Sequence, residues 1–415
     1  MFALRMATFD RSIVLLLLFN LSIASSSTYG SSLQHRAPFV PRYSQRYNKF
    51  KSRSSYNVGR GGASKVDGGG EADSSSSPLL SPTRSYTVSA HSVKGARPYM
   101  EDEYIHSDGG KFACVFDGHG GGAVSKYLRQ NLYACLQAAL PAAAAASADA
   151  LQKNTDIVNA TGDTTAVDAT GSPSVSSKPG LTSPSSLDAC IKALTMAFAK
   201  VDDEVQRISH WSFQGSTAVA VLLHEEYNES AGGVRRTLIS ANVGDSRAIL
   251  CRRGRAIQLT RDHKPNDPIE RQRIEARGGK VEWCGMVDSD GKPLQDTGVY
   301  RINGNLAVSR AIGDRSERPC VSSEVDIDTH RLDTDGGDEF VLLASDGLWD
   351  VMENDEVVEF VHSMLQKGRS SRSTEGESEG TAAESLESRM AELVVREALL
   401  RGSTDNVSVV IIWLN

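Results

Sequence analysis

The sequence contains no closely spaced pair of cysteines. Its six cysteines are scattered through 415 residues, and no two of them form a Cys-x-x-Cys pair. They are Cys114, Cys135, Cys190, Cys251, Cys284 and Cys320. This spacing indicates neither a zinc site nor a disulfide scaffold. We therefore expect buried free thiols.

A strong net charge is also missing. Lysine and arginine total 45 and aspartate and glutamate total 52, which gives a formal charge of −7 at pH 7. A mildly acidic chain has no overall basic field that would draw it to nucleic acid or to an anionic membrane. We expect no nucleic-acid partner, and any recognition of phosphate must come from local groups.

An apolar run lies near the N-terminus and is short for a membrane span. It reads "SIVLLLLFNLSIA", residues 12–24, and follows Arg5 and Arg11. Residues 1–25 therefore resemble a cleavable signal peptide or another targeting segment. An uncleaved membrane anchor is the alternative, and it is the one case in which we expect the chain to contact a membrane.

The next segment, residues 26–83, is rich in serine, glycine and basic residues. From Ser31 to Lys65 it carries eight lysines or arginines and no acid. This composition is typical of an organelle transit segment or of a disordered basic linker. A signal followed by a transit segment predicts a secretory route or a plastid, and membrane-anchored and cytoplasmic locations remain as alternatives.

Folded sequence begins near residue 84 with two strand-like runs, "YTVSAHSVKG" and "KFACVFDGH". The second is apolar enough to be buried on both faces. Apolar residues then recur at helical spacing from Val124 to Leu140 and from Leu187 to Ile208. Between these helices, residues 141–184 have no periodicity and predict a low-complexity insertion.

The C-terminal part mixes strands and helices in an order that favours an α+β fold. We predict an antiparallel meander of "TAVAVLLHEE", "RTLISANVGD" and "RAILCRRGRAIQL", with turns at Asn228, Gly244 and Gly254. "DPIERQRIEARGG" predicts a short helix. Strands "EFVLLASDG" and "NVSVVIIWL" flank helices at 355–366 and 382–401, separated by a Ser/Glu-rich loop at 368–382. This order predicts antiparallel sheets covered by helices.

Aspartates stand at the edges of four apolar strands. They are Asp117 in "FDGHGG", Asp245 in "VGDSR", Asp346 in "ASDGLWD" and Asp405 in "STDNVSVV". One such residue is an ordinary turn or cap. Four of them can supply the carboxylate oxygens that Mg²⁺ or Mn²⁺ prefers, if the strand ends converge.

A charged cluster, "GARPYMEDEY", precedes the first of these acids. Its Arg97 could bind a phosphate through two nitrogens while Glu101 or Asp102 holds a metal-bound water. A solvated run of charges is the alternative for this stretch.

Together these motifs resemble the metal-dependent serine/threonine protein phosphatases of the type 2C or PPM family. The resemblance runs in the family's order through "RPYMED", "FDGHGG", "GSTAVAV", "ANVGDSRAIL", "LTRDHKP", "LAVSRAIGD", "LLASDGLWDVM" and "STDNVSVVII". It covers about residues 84–415, with the 141–184 insertion and the 368–382 loop as additions.

The resemblance implies a four-layer αββα sandwich, in which two antiparallel sheets are flanked by helices. It also implies two Mg²⁺ or Mn²⁺ ions per active site and a weaker third one. By the family pattern, Asp117 bridges two ions, Asp346 and Asp405 hold the first, and the Gly118 carbonyl, with Glu101 through water, supports the second. Asp245 matches the acid of the third ion. Supporting positions are Asp102, Ser216, Thr217, Gly347 and Asn406.

The implied activity is hydrolysis of phosphoserine or phosphothreonine by attack of a water shared by two divalent metals. Arg97 matches the phosphate-binding arginine and His119 the proposed general acid. We expect a monomer whose partners are phosphorylated proteins. Two other functions remain open: a phosphatase fold without catalysis that binds a partner, and a phosphatase of small metabolites. A variable flap at 281–304 corresponds to the family's substrate-selecting loop.

Overall fold

The computed structural model describes residues 84–160, 186–228, 233–294, 297–374 and 385–415. The predicted targeting segment at 1–25 and the predicted linker at 26–83 lie outside these ranges. In the described ranges, no helix is both long enough and apolar enough to cross a membrane.

Most of the described chain forms strands and helices. The strands are β1 (Val88–Val93), β2 (Glu103–Ser107), β3 (Phe112–Phe116), β4 (Gly118–His119), β5 (Gly215–Ser216), β6 (Ala218–Asn228), β7 (Gly233–Val243), β8 (Arg247–Arg252), β9 (Arg255–Gln258), β10 (Val281–Cys284), β11 (Val299–Ile302), β12 (Ile312–Gly313), β13 (Asp326–Arg331), β14 (Asp338–Ala344) and β15 (Val407–Trp413). The α-helices are α1 (Ala123–Ala160), α2 (Ser186–Gln206), α3 (Pro268–Ala276), α4 (Asp346–Trp349), α5 (Asn354–Thr374) and α6 (Met390–Leu400).

Two five-stranded sheets stand at the centre. The first has the strand order β1-β15-β14-β8-β9 and the second β13-β7-β6-β3-β2. Every pairing within both sheets is antiparallel. Smaller ladders join β12, β5 and β4, and β10 with β11.

Three apolar cores separate four layers. One lies between the sheets and contains Val115, Val219, Val341, Leu343 and Val410. A second packs α1 and α2 on the outer face of the second sheet, and a third packs α5 and α6 on the outer face of the first. Strand β3 is apolar on both faces because each face meets a different core, as expected for a strand buried on both sides. The predicted αββα sandwich is confirmed.

The predicted meander is wrong at its second turn. Strands β6 and β7 pair along their length in the second sheet, but β8 pairs with β14 and β9 in the first. The chain therefore changes sheets at Gly244, whose φ of 115° is a left-handed conformation suited to glycine. Sequence pattern missed this crossing because only three residues separate β7 from β8, a spacing that is equally typical of a hairpin.

The predicted insertion at 141–184 is also wrong in its first half. Helix α1 continues through Pro141 to Ala160. The alanines after Pro141 have the highest helix propensity of any residue, and Ala143 is fully buried against the core beneath α1. The lack of periodicity predicted an insertion between two helices, whereas the alanine run extends the first of these helices. Residues 161–185 lie outside the described ranges.

The predicted Ser/Glu-rich loop at 368–382 begins too early. Helix α5 extends to Thr374, and α6 begins at Met390 rather than near 382. The short helix was predicted correctly as α3: the Asp267 side chain accepts hydrogen bonds from the Ile269 and Glu270 amides at 2.9 and 3.2 Å.

Candidate active site

The sheet topology brings the four strand-end aspartates to one end of the sandwich. Asp117 follows β3 and Asp245 follows β7, and these strands run in the same direction because β6 pairs antiparallel with both. Asp346 follows β14, and Asp405 precedes the antiparallel strand β15. Each sheet therefore contributes two acids to the same edge.

A cleft of about 230 Å³ lies at this edge. All eight residues predicted for the site line it: Arg97, Glu101, Asp117, Gly118, His119, Asp245, Asp346 and Asp405. The supporting residues Thr217 and Asn406 also line it. Residues separated by up to 309 positions in the sequence thus share one surface, although their individual roles stay predictions.

The acids are crowded enough to oppose one another's ionisation. Burial raises the pKa of Asp117 well above its usual range, and the nearby carboxylates of Asp346, Asp102 and Asp245 raise it further. Burial and Asp346 raise the pKa of Asp245 to about 8. The protein itself supplies too little positive charge here to balance these groups.

One carboxylate oxygen is left without a protein partner. Asp245 is 5% exposed, and its Oδ1 atom is buried without a hydrogen bond. Buried polar oxygens almost always have a partner, because an unpaired one costs about 1–3 kcal/mol. An oxygen-only donor set with excess negative charge fits a hard divalent cation such as Mg²⁺ or Mn²⁺.

Arg97 reaches the cleft from the loop before β2. Its guanidinium forms an ion pair with Asp405, and its side chain remains 56% exposed. The neighbouring Asn406 side chain holds this loop in place, since its Oδ1 accepts a 2.7 Å hydrogen bond from the Glu101 amide. The predicted charge run "GARPYMEDEY" is therefore attached to the site and is not a free surface segment.

His119 is paired with an aspartate that the sequence analysis did not select. Its Nε2 lies 2.6 Å from Oδ2 of Asp314, a side chain that is 2% exposed. Burial lowers the pKa of His119, but the Asp314 carboxylate outweighs this and the net pKa is raised. Gly215 permits the pairing, because a Cβ there would lie 2.1 Å from the Asp314 carboxylate.

The supporting positions are buried around the cleft. Oδ2 of Asp102 accepts a 2.8 Å hydrogen bond from Ser345, and burial raises the pKa of Asp102 to about 7. Oγ1 of Thr217 accepts a 3.1 Å hydrogen bond from the Asp117 amide. Ser216 is fully buried, and a Cβ on Gly347 would lie 2.1 Å from the Asn406 carbonyl oxygen.

Sequence reasoning missed further charged residues near the acids. Asp350 raises the pKa of both Asp245 and Asp346, while Lys264 lowers that of each. Arg301, from the end of the flap at 281–304, lines the cleft. Asp350 could have been noticed as the last letter of "SDGLWD", but no spacing rule indicated Arg301.

Comparisons with known proteins match most of the described chain. A family model described as protein phosphatase 2C matches residues 86–407. The chain is 32% identical over 342 residues to probable protein phosphatase 2C 59 of Arabidopsis thaliana, covering 80% of this chain and 81% of that protein. It is 39% identical over 228 residues to probable protein phosphatase 2C 8 of Oryza sativa subsp. japonica, covering 54% of this chain but only 49% of that protein.

A solved structure shares the fold. Serine-threonine phosphatase 2C from Toxoplasma gondii superposes with a TM-score of 0.50 and 21% identity, over 80% of this chain and 96% of that chain. At this identity the likeness supports the sandwich alone. The family model and the Arabidopsis relative carry the assignment: the chain belongs to the protein phosphatase 2C family of enzymes.

Proposed function

We propose that this chain hydrolyses phosphoserine and phosphothreonine esters of proteins in a reaction that depends on Mg²⁺ or Mn²⁺. The observation that carries the proposal is the convergence of four strand-end aspartates with Arg97 and His119 in one cleft. Such a cleft combines ligands for hard cations, a group that binds phosphate and a group that donates a proton.

The acids of the cleft would hold the ions. Asp117 lies close to other acids of the cleft, since the carboxylates of Asp346, Asp102 and Asp245 add to the effect of burial in raising its pKa. We assign Asp346 and Asp405 to a first ion and the Gly118 carbonyl to a second. Glu101 would support the second ion, and Asp245 would hold a weaker third. Bound divalent ions lower the pKa of water and offset charge on a phosphoryl group.

Arg97 is the residue that binds the phosphoryl oxygens. The guanidinium fork matches two oxygens of a phosphate and stays charged at any physiological pH. Its ion pair with Asp405 places it beside the acids, and its half-exposed side chain can exchange this partner for substrate. Arg97 then offsets charge on the phosphoryl group as it is transferred to water.

His119 donates a proton to the departing serine or threonine oxygen. An alkoxide is a poor leaving group, so a protonated group near it lowers the barrier. Asp314 accepts from Nε2 and favours the protonated imidazole, which leaves Nδ1 as the nitrogen that can donate. Asp314 is thus a positioning residue that acts through His119.

The flap favours a protein substrate over a small metabolite. Strands β10 and β11 form a hairpin in which Trp283 and Tyr300 contact edge to face, 5.1 Å between ring centroids. Beyond it, Met286 and Val287 are 63% and 51% exposed. Exposed apolar side chains on a flap whose Arg301 lines the cleft suit contact with the polypeptide on either side of a phosphorylated residue.

The test is hydrolysis of a phosphothreonine peptide by the full chain. We expect phosphate release with Mn²⁺ or Mg²⁺, none after EDTA, and loss of at least about 100-fold in kcat for Asp346→Asn. The matched control is Asp328→Asn, the same change at an exposed position on β13. Circular dichroism establishes that both variants fold.

Three outcomes would contradict the proposal. Full activity in Asp346→Asn would remove the acids from the mechanism. Faster release from a sugar phosphate than from the peptide would favour a metabolite phosphatase. No release from the folded chain with either substrate would favour a protein that binds a partner without catalysis.

A further inference from the structure

A cysteine, a histidine and a glutamate meet at the far end of β14 from Asp346. Cys251 lies on β8, Glu339 on β14 and His362 on α5. Their ligand atoms lie within 4.8 Å of one another. None of the three lines the cleft, and the proposed hydrolysis does not use them.

The spacing of the three ligand atoms is close to that of a zinc site. Cys251 Sγ lies 3.6 Å from a carboxylate oxygen of Glu339 and 3.9 Å from Nε2 of His362, and Nε2 lies 2.8 Å from the other carboxylate oxygen. Zinc bonds of about 2.0–2.3 Å in a tetrahedron place ligand atoms about 3.3–3.6 Å apart. The sulfur–oxygen distance already fits, the sulfur–nitrogen distance would have to shorten by about 0.3 Å, and the nitrogen–oxygen distance, which runs to the second oxygen of Glu339, would have to lengthen by about 0.5 Å.

An irregularity in the strand directs Glu339 to this position. Phe340 pairs with Cys251, and both belong to the core beneath α5 and α6. In a regular strand the side chain of Glu339 would point to the opposite face from Phe340. The register against β8 shifts between Asp338 and Phe340, however, so Glu339 is the extra residue of a bulge. The Gly254 amide fixes its carboxylate with a 2.8 Å hydrogen bond.

Solvent can reach two of the three side chains. The side chains of Glu339 and His362 are 30% and 28% exposed, whereas Cys251 is buried. An ion can therefore enter from the surface and keep a water as its fourth ligand, as in open zinc sites. One thiolate and one carboxylate neutralise a divalent charge.

The same contacts also describe a hydrogen-bonded trio without an ion. Burial and Glu339 raise the pKa of the Cys251 thiol to about 12. In the absence of an ion the thiol therefore keeps its proton and donates a hydrogen bond to Glu339. A metal ion has to displace this proton, as it does at cysteine sites in general. A bound metal ion requires a Cys251 thiolate, whereas the hydrogen-bonded residues without an ion keep a protonated thiol. The two states therefore have different absorption spectra and can be distinguished by experiment.

We propose that Cys251, Glu339 and His362 bind a divalent cation of the zinc class. Thiolate and imidazole ligands favour such ions over Mg²⁺, whereas the oxygen ligands of the cleft have the opposite preference. The ion ties α5 to β8 and β14. It therefore stabilises the joint between one helical layer and its sheet, and the chain has separate sites for soft and hard cations.

Cobalt titration of the full chain, with Mg²⁺ in excess to occupy the cleft, tests the proposal. A thiolate bound to Co²⁺ gives a charge-transfer band in the near ultraviolet, which oxygen ligands alone do not give. We expect the band to saturate at one equivalent of Co²⁺ and to decrease when Zn²⁺ is added. Cys251→Ser should abolish it, and the matched control Cys284→Ser, at an exposed cysteine, should retain it.

His362→Gln provides a second variant at a partly exposed position, in case Cys251→Ser does not fold. Because outer partners of a metal site alone contribute about 10–100-fold in affinity, we expect this loss of a direct ligand to weaken Zn²⁺ binding by at least about tenfold. Zn²⁺ should also raise the Tm of the wild type more than that of His362→Gln. Absence of the band in the wild type, or its loss in Cys284→Ser, would overturn the proposal.

Discussion

Asp245 gives the metal-free protein a stability that depends on pH. Burial and Asp346 raise its pKa from 3.8 to about 8, so the folded chain binds a proton at Asp245 where the unfolded chain has released it. When the folded pKa is the higher one, stability is greatest below the unfolded pKa and is lost as pH rises through the folded pKa. Asp245→Asn removes this loss.

The magnitude follows from the two pKa values. Each pH unit above 3.8 costs about 1.4 kcal/mol until the folded group also ionises, so Asp245 costs about 4 kcal/mol at pH 7 and about 2 kcal/mol at pH 5. In EDTA, Asp245→Asn should therefore gain about 2–3 kcal/mol relative to wild type when the pH is raised from about 5 to about 7.

Urea unfolding of both proteins at the two pH values, with EDTA, measures this difference. Excess Mg²⁺ should recover stability at pH 7 in the wild type and less in the variant, since a bound ion stabilises only the folded state. If the two proteins lose stability equally between pH 5 and pH 7, Asp245 does not have the raised pKa that its burial and unpaired oxygen indicate.

Two further predictions concern the reaction. Asp314→Asn should move the descending limb of kcat against pH to lower pH, because the carboxylate is what raises the pKa of His119; an unchanged limb in a pH profile would separate Asp314 from proton donation. Arg97→Ala should lower kcat/KM for a phosphothreonine peptide by about 100-fold or more, since one charge-stabilising donor contributes that much. Exposed Arg255→Ala is the control, and equal effects of the two changes would refute the assignment.

The sequence predicted which residues line the cleft more fully than it predicted the connections between elements. Asp117 and Asp346 were identifiable because each interrupts an apolar run at a strand end, a position where a carboxylate has no packing role. Asp314 was missed because its effect depends on a contact with His119, 195 positions away. The order of the motifs indicated which residues converge. The partners that shift the pKa values of these residues, such as Asp314, could be identified only from the structure.

The wrong predictions have a common physical cause. Composition indicated a low-complexity insertion from Pro141, yet the alanines that follow are strong helix formers, and Ala143 is buried in the core. Apolar pattern indicated a meander, yet the strands flanking Gly244 belong to different sheets. In each case tertiary packing decided what local pattern left open.

Because the four aspartates are divided between two sheets, the spacing of acids in the cleft depends on the packing of the core between the sheets. The pair formed by Asp117 and Asp245 can approach the pair formed by Asp346 and Asp405 only as closely as the sheets themselves do. Core residues such as Leu343 set that separation, because close-packed interiors transmit small displacements. The apolar layer between the sheets thus sets the distance between the two pairs of aspartates. Ions bound in the cleft would link the two sheets and oppose their sliding past each other.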